Sequence, residues 1–116
     1  MHKDTLARSF PRKVKEEIAE RDSINGWPCC VMCGAAAPPS PNGISIAWSN
    51  AHFISRAQGG LGVTENGLTL CPKCHRRYDQ TTDRKAIREY LRGYLESKHA
   101  DWDEGDLYYE KGMCDV

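Results

Sequence analysis

Four of the six cysteines fall into two pairs of identical spacing, Cys30-Val31-Met32-Cys33 and Cys71-Pro72-Lys73-Cys74. Two thiolates at this spacing in a turn grip a tetrahedral metal ion from one side, and a second such turn completes the coordination. A chain of 116 residues has room for one modest core, and domains this small often rely on a metal or covalent staple. The motif therefore constrains the fold before any helix or strand is considered: residues 30–33 and 71–74 must meet. Zinc is the expected ion. Its role is structural, because four sulfurs leave no coordination position for water or substrate. Cys29 leaves the first register open in principle, and the two-residue gap favours Cys30 over it. A pair of redox dithiols is the alternative, but neither motif sits in a thioredoxin-like βαβ pattern. Cys114 lies in a loose acidic tail and reads as free.

Compartment and charge narrow the function classes. No apolar run approaches the roughly 18 residues of a membrane span. Residues 1–13 are polar and lack a signal-peptide core. The chain reads as cytosolic, where reduced cysteines point to metal or catalysis rather than disulfides. Lys+Arg is 16 and Asp+Glu is 16, giving zero net charge. A general polyanion binder is usually basic overall, so any contact with nucleic acid needs an uneven charge distribution. Arg56, Lys73, Arg76, Arg77, Arg84, Lys85, Arg88 and Arg92 supply one. They read either as a phosphate-binding surface or as a solvated helix face. Asp101, Asp103, Glu104, Asp106, Glu110 and Asp115 mark an acidic tail over residues 101–116, which reads as solvating or intramolecular.

The chain is expected to form a single domain over residues 1–116, with its core at about 12–97. Pro11–Asp22 predicts a helix with Val14 and Ile18 on one face. Asn25-Gly26 marks a turn. Ile44–Trp48 and Ala51–Ile54 predict a two-stranded hairpin around Ser49-Asn50. Gln58–Gly67 reads as a Gly-rich loop without a strand. Pro72–Gln80 predicts a short helix, and Thr82 or Asp83 caps a longer one reaching Ser97. Ile87, Tyr90, Leu91, Tyr94 and Leu95 form its apolar stripe, read as core contact.

Between and after the cysteine pairs the chain reads Ala51-His52-Phe53-Ile54-Ser55-Arg56, Gly59-Gly60, Glu65-Asn66-Gly67-Leu68, Leu70-Cys71-Pro72-Lys73-Cys74-His75 and Asp79, with Arg21-Asp22 upstream. This resembles the HNH endonucleases. In that family a histidine ends a strand, an asparagine follows in a loop, and a second histidine opens a helix. Many members add two CxxC pairs, the second running directly into the last histidine. The resemblance implies an α+β, zinc-stapled ββα-metal fold with flanking helices at Pro11–Asp22 and Thr82–Ser97. It also implies metal-dependent cleavage of DNA phosphodiesters in a bacterial or phage-infected cell.

The resemblance assigns His52, Asn66 and His75 to catalysis. An imidazole titrates near neutral pH, which suits His52 to the role of general base. Asn66 helps to set its geometry. His75 and Asp79 stand at i and i+4 on the inferred helix, share a face and can grip a divalent cation: magnesium, manganese, nickel or zinc. Arg56, Lys73, Arg76 and Arg77 are the expected phosphate contacts. Ala51 departs from the pattern, because many members place a further metal ligand just before the catalytic histidine. Metal binding then rests on His75 and Asp79 with water, or draws on Asn50 or His52.

Each assignment has a plainer counterpart: a core histidine at 52, a turn residue at Asn66, a surface ion pair of Asp79 with Arg76 or Arg77. The rival function is a non-catalytic zinc-ribbon-like module that binds nucleic acid or protein. A zinc deaminase is disfavoured, since Phe53 and Ile54 follow His52 where a glutamate is required. His2 and His99 match nothing and read as exposed.

Overall fold

A computed structural model of the chain describes residues 9–39, 41, 48 and 50–108. Within them the order is α1 (Arg12–Arg21), β1 (Ser23–Ile24), β2 (Trp27–Pro28), β3 (Asn50–His52), β4 (Gly67–Thr69), α2 (Pro72–Gln80) and α3 (Arg84–Lys98). Short 3-10 turns occur at Arg56–Gln58, Thr64–Asn66 and Glu104–Leu107. The fold is α+β, and its strands form two small antiparallel sheets, β1–β2 and β3–β4.

Helix α1 is polar except along one stripe, where Ile18 is fully buried and Val14 half-buried. The turn that follows is a miniature hairpin. Asn25 and Gly26 take φ values of 53° and 85°, and β1 pairs with β2 across them. Positive φ at both positions matches the twist of a two-residue hairpin, and Asn-Gly is the dipeptide that tolerates it best. This hairpin delivers the chain to Cys29 and the first cysteine knuckle.

Strand β3 pairs with β4 in the register Asn50↔Thr69, Ala51↔Leu68, His52↔Gly67. The sequence instead predicts a hairpin between 44–48 and 51–54, and residues 44–47 lie outside the described residues. Segment 67–69 escapes sequence reading because all three of its residues are buried, so no in–out alternation remains to mark a strand. Helix α2 has the expected bounds, and α3 spans Arg84–Lys98 with Asp83, one of the two expected caps, at its N-cap position.

The core gathers Ala51, Phe53, Ile54, Leu68 and Leu70 under Cys74 and Tyr78 of α2 and Ile87, Leu91 and Leu95 of α3. Tyr90, expected in the same stripe, is exposed, and its hydroxyl donates to the Val31 carbonyl at 3.2 Å. The core also extends beyond residue 97. Leu107 is buried and its carbonyl accepts from Leu61 N–H at 2.8 Å. Trp102 stands edge-on to Phe53, with ring centroids 5.7 Å apart, and donates to Glu65 O at 2.9 Å. Acidic composition hides this packing in the sequence, where Trp102 and Leu107 are isolated among charges.

A buried ionic clasp joins α1 to β4. The Arg21 guanidinium meets the Asp22 carboxylate through two hydrogen bonds of 2.7 and 2.9 Å. It also donates to Thr64 O at 2.8 Å and Gly67 O at 2.6 Å. Asp22 in turn accepts from Thr69 N–H at 2.8 Å and from the Tyr94 hydroxyl. Each charge is thus paired and further hydrogen-bonded, the condition under which a buried ion pair is tolerated. His99 joins the clasp at 3.2 Å from Arg21. It is half-buried rather than exposed.

Candidate active site

The two cysteine motifs meet. The sulfurs of Cys30, Cys33, Cys71 and Cys74 all lie within 4.8 Å of one another, the arrangement a tetrahedral zinc site requires. Cys29 is outside this group and donates to Trp27 O at 3.3 Å, which resolves the register in favour of Cys30. Cys114 lies outside the described residues. The two knuckles repeat one design: Cys33 N–H points at the Cys30 sulfur (3.5 Å) and Cys74 N–H at the Cys71 sulfur (3.4 Å). Val31 N–H donates to Thr69 O at 2.9 Å, tying the first knuckle to the strand that feeds the second.

Burial alone would raise the Cys30 thiol, but backbone donors at Cys33, Cys71 and Met32 outweigh it and lower the thiol from 9.0 to about 7. Burial, reinforced by the neighbouring thiols of Cys71 and Cys30, pushes Cys74 well above its ordinary range. Cys30 is thus drawn toward ionisation, while Cys33 and Cys74 resist further negative charge. A divalent cation removes that conflict. The donor set fits zinc.

One β–β–α unit carries the other candidates. His52 ends β3 opposite Gly67 at the start of β4, and β4 runs through Leu70 and Cys71 into α2. Cys71 caps α2 and Pro72 occupies its first turn, where the missing N–H costs nothing. His75 and Asp79 lie along α2, with Nε2 and Oδ2 3.0 Å apart. Asp79 faces this histidine and the more distant Arg84, at 3.9 Å, not Arg76 or Arg77. The hydroxyl of buried Tyr78 donates to Phe53 O at 2.7 Å, fastening α2 to the residue after His52. Among the described residues, the four cysteines form the one cluster of three or more His, Cys, Asp or Glu donors close enough to hold a metal. His75 and Asp79 offer a two-residue site.

Asn66 is fully buried and does more than turn the chain. Its Oδ1 accepts from Ile54 N–H at 2.7 Å, and its Nδ2 donates to Ile54 O (3.1 Å) and Leu61 O (2.8 Å). Its own carbonyl accepts from Phe53 N–H at 2.8 Å. These four bonds fix the backbone immediately beyond His52. Gly60 makes room for them: a Cβ there would stand 1.7 Å from Ile54 O and 2.9 Å from Asn66 Nδ2. Ala51 is fully buried in the core and offers no ligand.

Sequence reading misses the neighbour of His52. The Phe10 ring stacks on the imidazole, with centroids 4.0 Å apart and planes 25° from parallel. An isolated aromatic before a helix gives no signal of such a role.

The basic residues differ in exposure and in partners, and Arg77 too is paired, its Nη2 3.4 Å from Asp83 Oδ2. Arg88 and Arg92 both reach Glu104, Arg88 at 2.9 Å, so part of the acidic tail is an intramolecular partner. Arg84 lies over the Tyr78 ring, 4.5 Å from its centroid. Arg56, Lys73, Arg76 and Arg77 are exposed. No helix among the described residues is long and apolar enough to cross a membrane.

The HNH endonuclease family model matches residues 30–82, a span holding both knuckles, His52, Asn66, His75 and Asp79. A segment of 62 residues is 34% identical to the type IV methyl-directed restriction enzyme EcoKMcrA of Escherichia coli (strain K12). That segment is 53% of this chain but 22% of the relative, so the chain spans only a small part of that protein. With the knuckles joined and the ββα unit assembled, residues 30–82 are what the chain shares with the HNH endonuclease family, matching its domain model over that span.

Proposed function

We propose that this chain is a metal-dependent endonuclease that hydrolyses DNA phosphodiester bonds. The observation that carries the reading is the single ββα unit that bears His52 on its first strand and the His75–Asp79 pair on its helix. In the proposed reaction neutral His52 accepts a proton from the attacking water as the new phosphorus–oxygen bond forms and the bond to the leaving oxygen breaks. Asn66 acts at one remove, through the backbone that sets where β3 ends. His75 and Asp79 would hold a divalent cation. When bound, that cation supplies charge neutralisation at the scissile phosphate and the departing oxygen. Exposed Arg56, Lys73, Arg76 and Arg77 are the proposed phosphate contacts. No helix among the described residues resembles a base-reading recognition helix, so cleavage by this unit alone is expected to be weakly sequence-specific. The restriction-enzyme name of the relative supports DNA as the substrate.

The test is nicking of supercoiled plasmid by zinc-loaded protein with magnesium, manganese or nickel, or with added zinc. Metal-dependent nicking supports the reading. One observation favours the rival, a zinc-ribbon-like binding module: the position before His52 is a buried alanine that cannot ligate a cation. DNA binding without nicking in any of these metals would establish that module instead.

A further inference from the structure

Phe10 lies outside the segment that matches the HNH family, yet it touches the proposed base. Its ring covers one face of the His52 imidazole at 4.0 Å, nearly parallel. The seat for this ring is built by the absence of two side chains. Gly67 is the direct cross-strand partner of His52. A Cβ on it would stand 3.0 Å from Phe10 Cε1 and 2.2 Å from Ile18 Cδ1. Gly62 supports the backbone of the same segment: a Cβ there would stand 1.9 Å from Ser9 O and 3.0 Å from Phe10 N. Arg56 adds a contact, its Nη2 lying 3.4 Å from Ser9 Oγ. The segment then enters α1, which is anchored by buried Ile18 and by the Arg21–Asp22 clasp. The chain just before α1 is therefore strapped over the end of β3 by contacts from three separate stretches.

We propose that Phe10 is a positioning residue for His52, with Gly67 and Gly62 forming its seat. This rests on the reading of His52 as general base. An imidazole at a strand end turns about two side-chain torsions, and a proton acceptor that wanders between rotamers is correctly aimed only part of the time. A flat ring against one face of the imidazole restricts both torsions. The stacking of the two aromatic rings also stabilises the chosen rotamer.

The experiment uses the zinc-loaded chain and two variants, Phe10→Leu, which keeps the apolar volume without the flat ring, and Phe10→Tyr, which keeps the ring. Zinc content and thermal midpoint report whether each folds. Three-bond couplings across the His52 Cα–Cβ bond report its rotamers whether or not the protein cuts DNA. One rotamer is expected in the wild type and in Phe10→Tyr, and averaging in Phe10→Leu. Wild-type couplings in folded Phe10→Leu would overturn the proposal. Nicking kinetics supply the second arm. Phe10→Leu should lower kcat roughly tenfold with little change in KM, and Phe10→Tyr should restore it. In a His52→Ala background Phe10→Leu should cost nothing further, because the two residues act as one unit. An equal loss in both backgrounds would make Phe10 merely structural and overturn the proposal. If His52→Ala nicks at the wild-type rate, the base assignment fails, while the couplings still decide whether Phe10 fixes the ring.

Discussion

Asn66, proposed to act on the base through the backbone, is a fully buried side chain. Both of its polar side-chain atoms face backbone groups of Ile54 and Leu61, and no part of it reaches solvent. Asn66→Ala should therefore act first on stability. It orphans a buried amide and two carbonyls, at a cost of about 3 kcal/mol, measurable as a lowered urea midpoint at unchanged zinc content. A drop in activity at unchanged stability would show the side chain acting directly on the reaction. His99 offers a separate test by pH. Burial, and then the charge of Arg21, lower its pKa from the ordinary 6.5. The folded state therefore binds fewer protons here than the unfolded chain, so the contribution of His99 to stability is full above pH 6.5. It fades as pH falls from there toward the lowered folded value. Denaturation at pH 7.5 and 5.5 should show a smaller acid-side decline in His99→Gln than in the wild type; equal declines would show that His99 has no part in the acid sensitivity.

The two cysteine knuckles and α2 are expected to behave as one element with a bound metal. Stripping zinc should unfold the domain, and Cys33→Ser should mimic the chelator. Cys29→Ser should leave one zinc per chain, since that sulfur hydrogen-bonds Trp27 O instead of joining the cluster. Zinc uptake should release protons, because the thiols must ionise to bind the metal. Circular dichroism, metal analysis and a pH indicator measure these; native dichroism in fully zinc-free protein would contradict them. On the outer face of α2, Arg76→Ala with Arg77→Ala should weaken DNA binding for every sequence. The salt dependence should flatten by about one unit for each phosphate that is no longer neutralised. An unchanged slope would move the DNA track elsewhere. Legibility at this scale follows the strength of local signals. The CxxC spacing brings four sulfurs together whatever lies between them, and Pro72 sets the start of α2. Strand β4 leaves no trace in the sequence, because burial of Gly67, Leu68 and Thr69 erases alternation.

At the scale of the whole molecule, two clasps brace the ββα unit from outside the family segment. Arg21 and Asp22 hold α1 to β4, and Glu104 collects Arg88 and Arg92 beside the packed Trp102 and Leu107. The Arg-Asp dipeptide is visible in the sequence, but its partners Thr64, Gly67, Thr69 and Tyr94 lie far along the chain. For the same reason the Phe10 stack on His52 cannot be read from local pattern: contacts of long sequence separation carry no periodicity. The proposed site residues His52, Asn66, His75 and Asp79 are marked in the sequence by residue type and order, and the structure places them on or beside one ββα unit.

The most direct measurement is metal-dependent plasmid nicking by His52→Ala and His75→Ala, each verified for fold and DNA binding. A general base contributes to the transition state and little to ground-state binding. His52→Ala should slow nicking on the order of a hundredfold or more, with no recovery as the divalent metal is raised. His75→Ala removes a proposed ligand, so raising the metal should restore part of its rate. Nicking by His52→Ala at the wild-type rate, or equal metal rescue of both variants, would contradict the assignment of base and cation site.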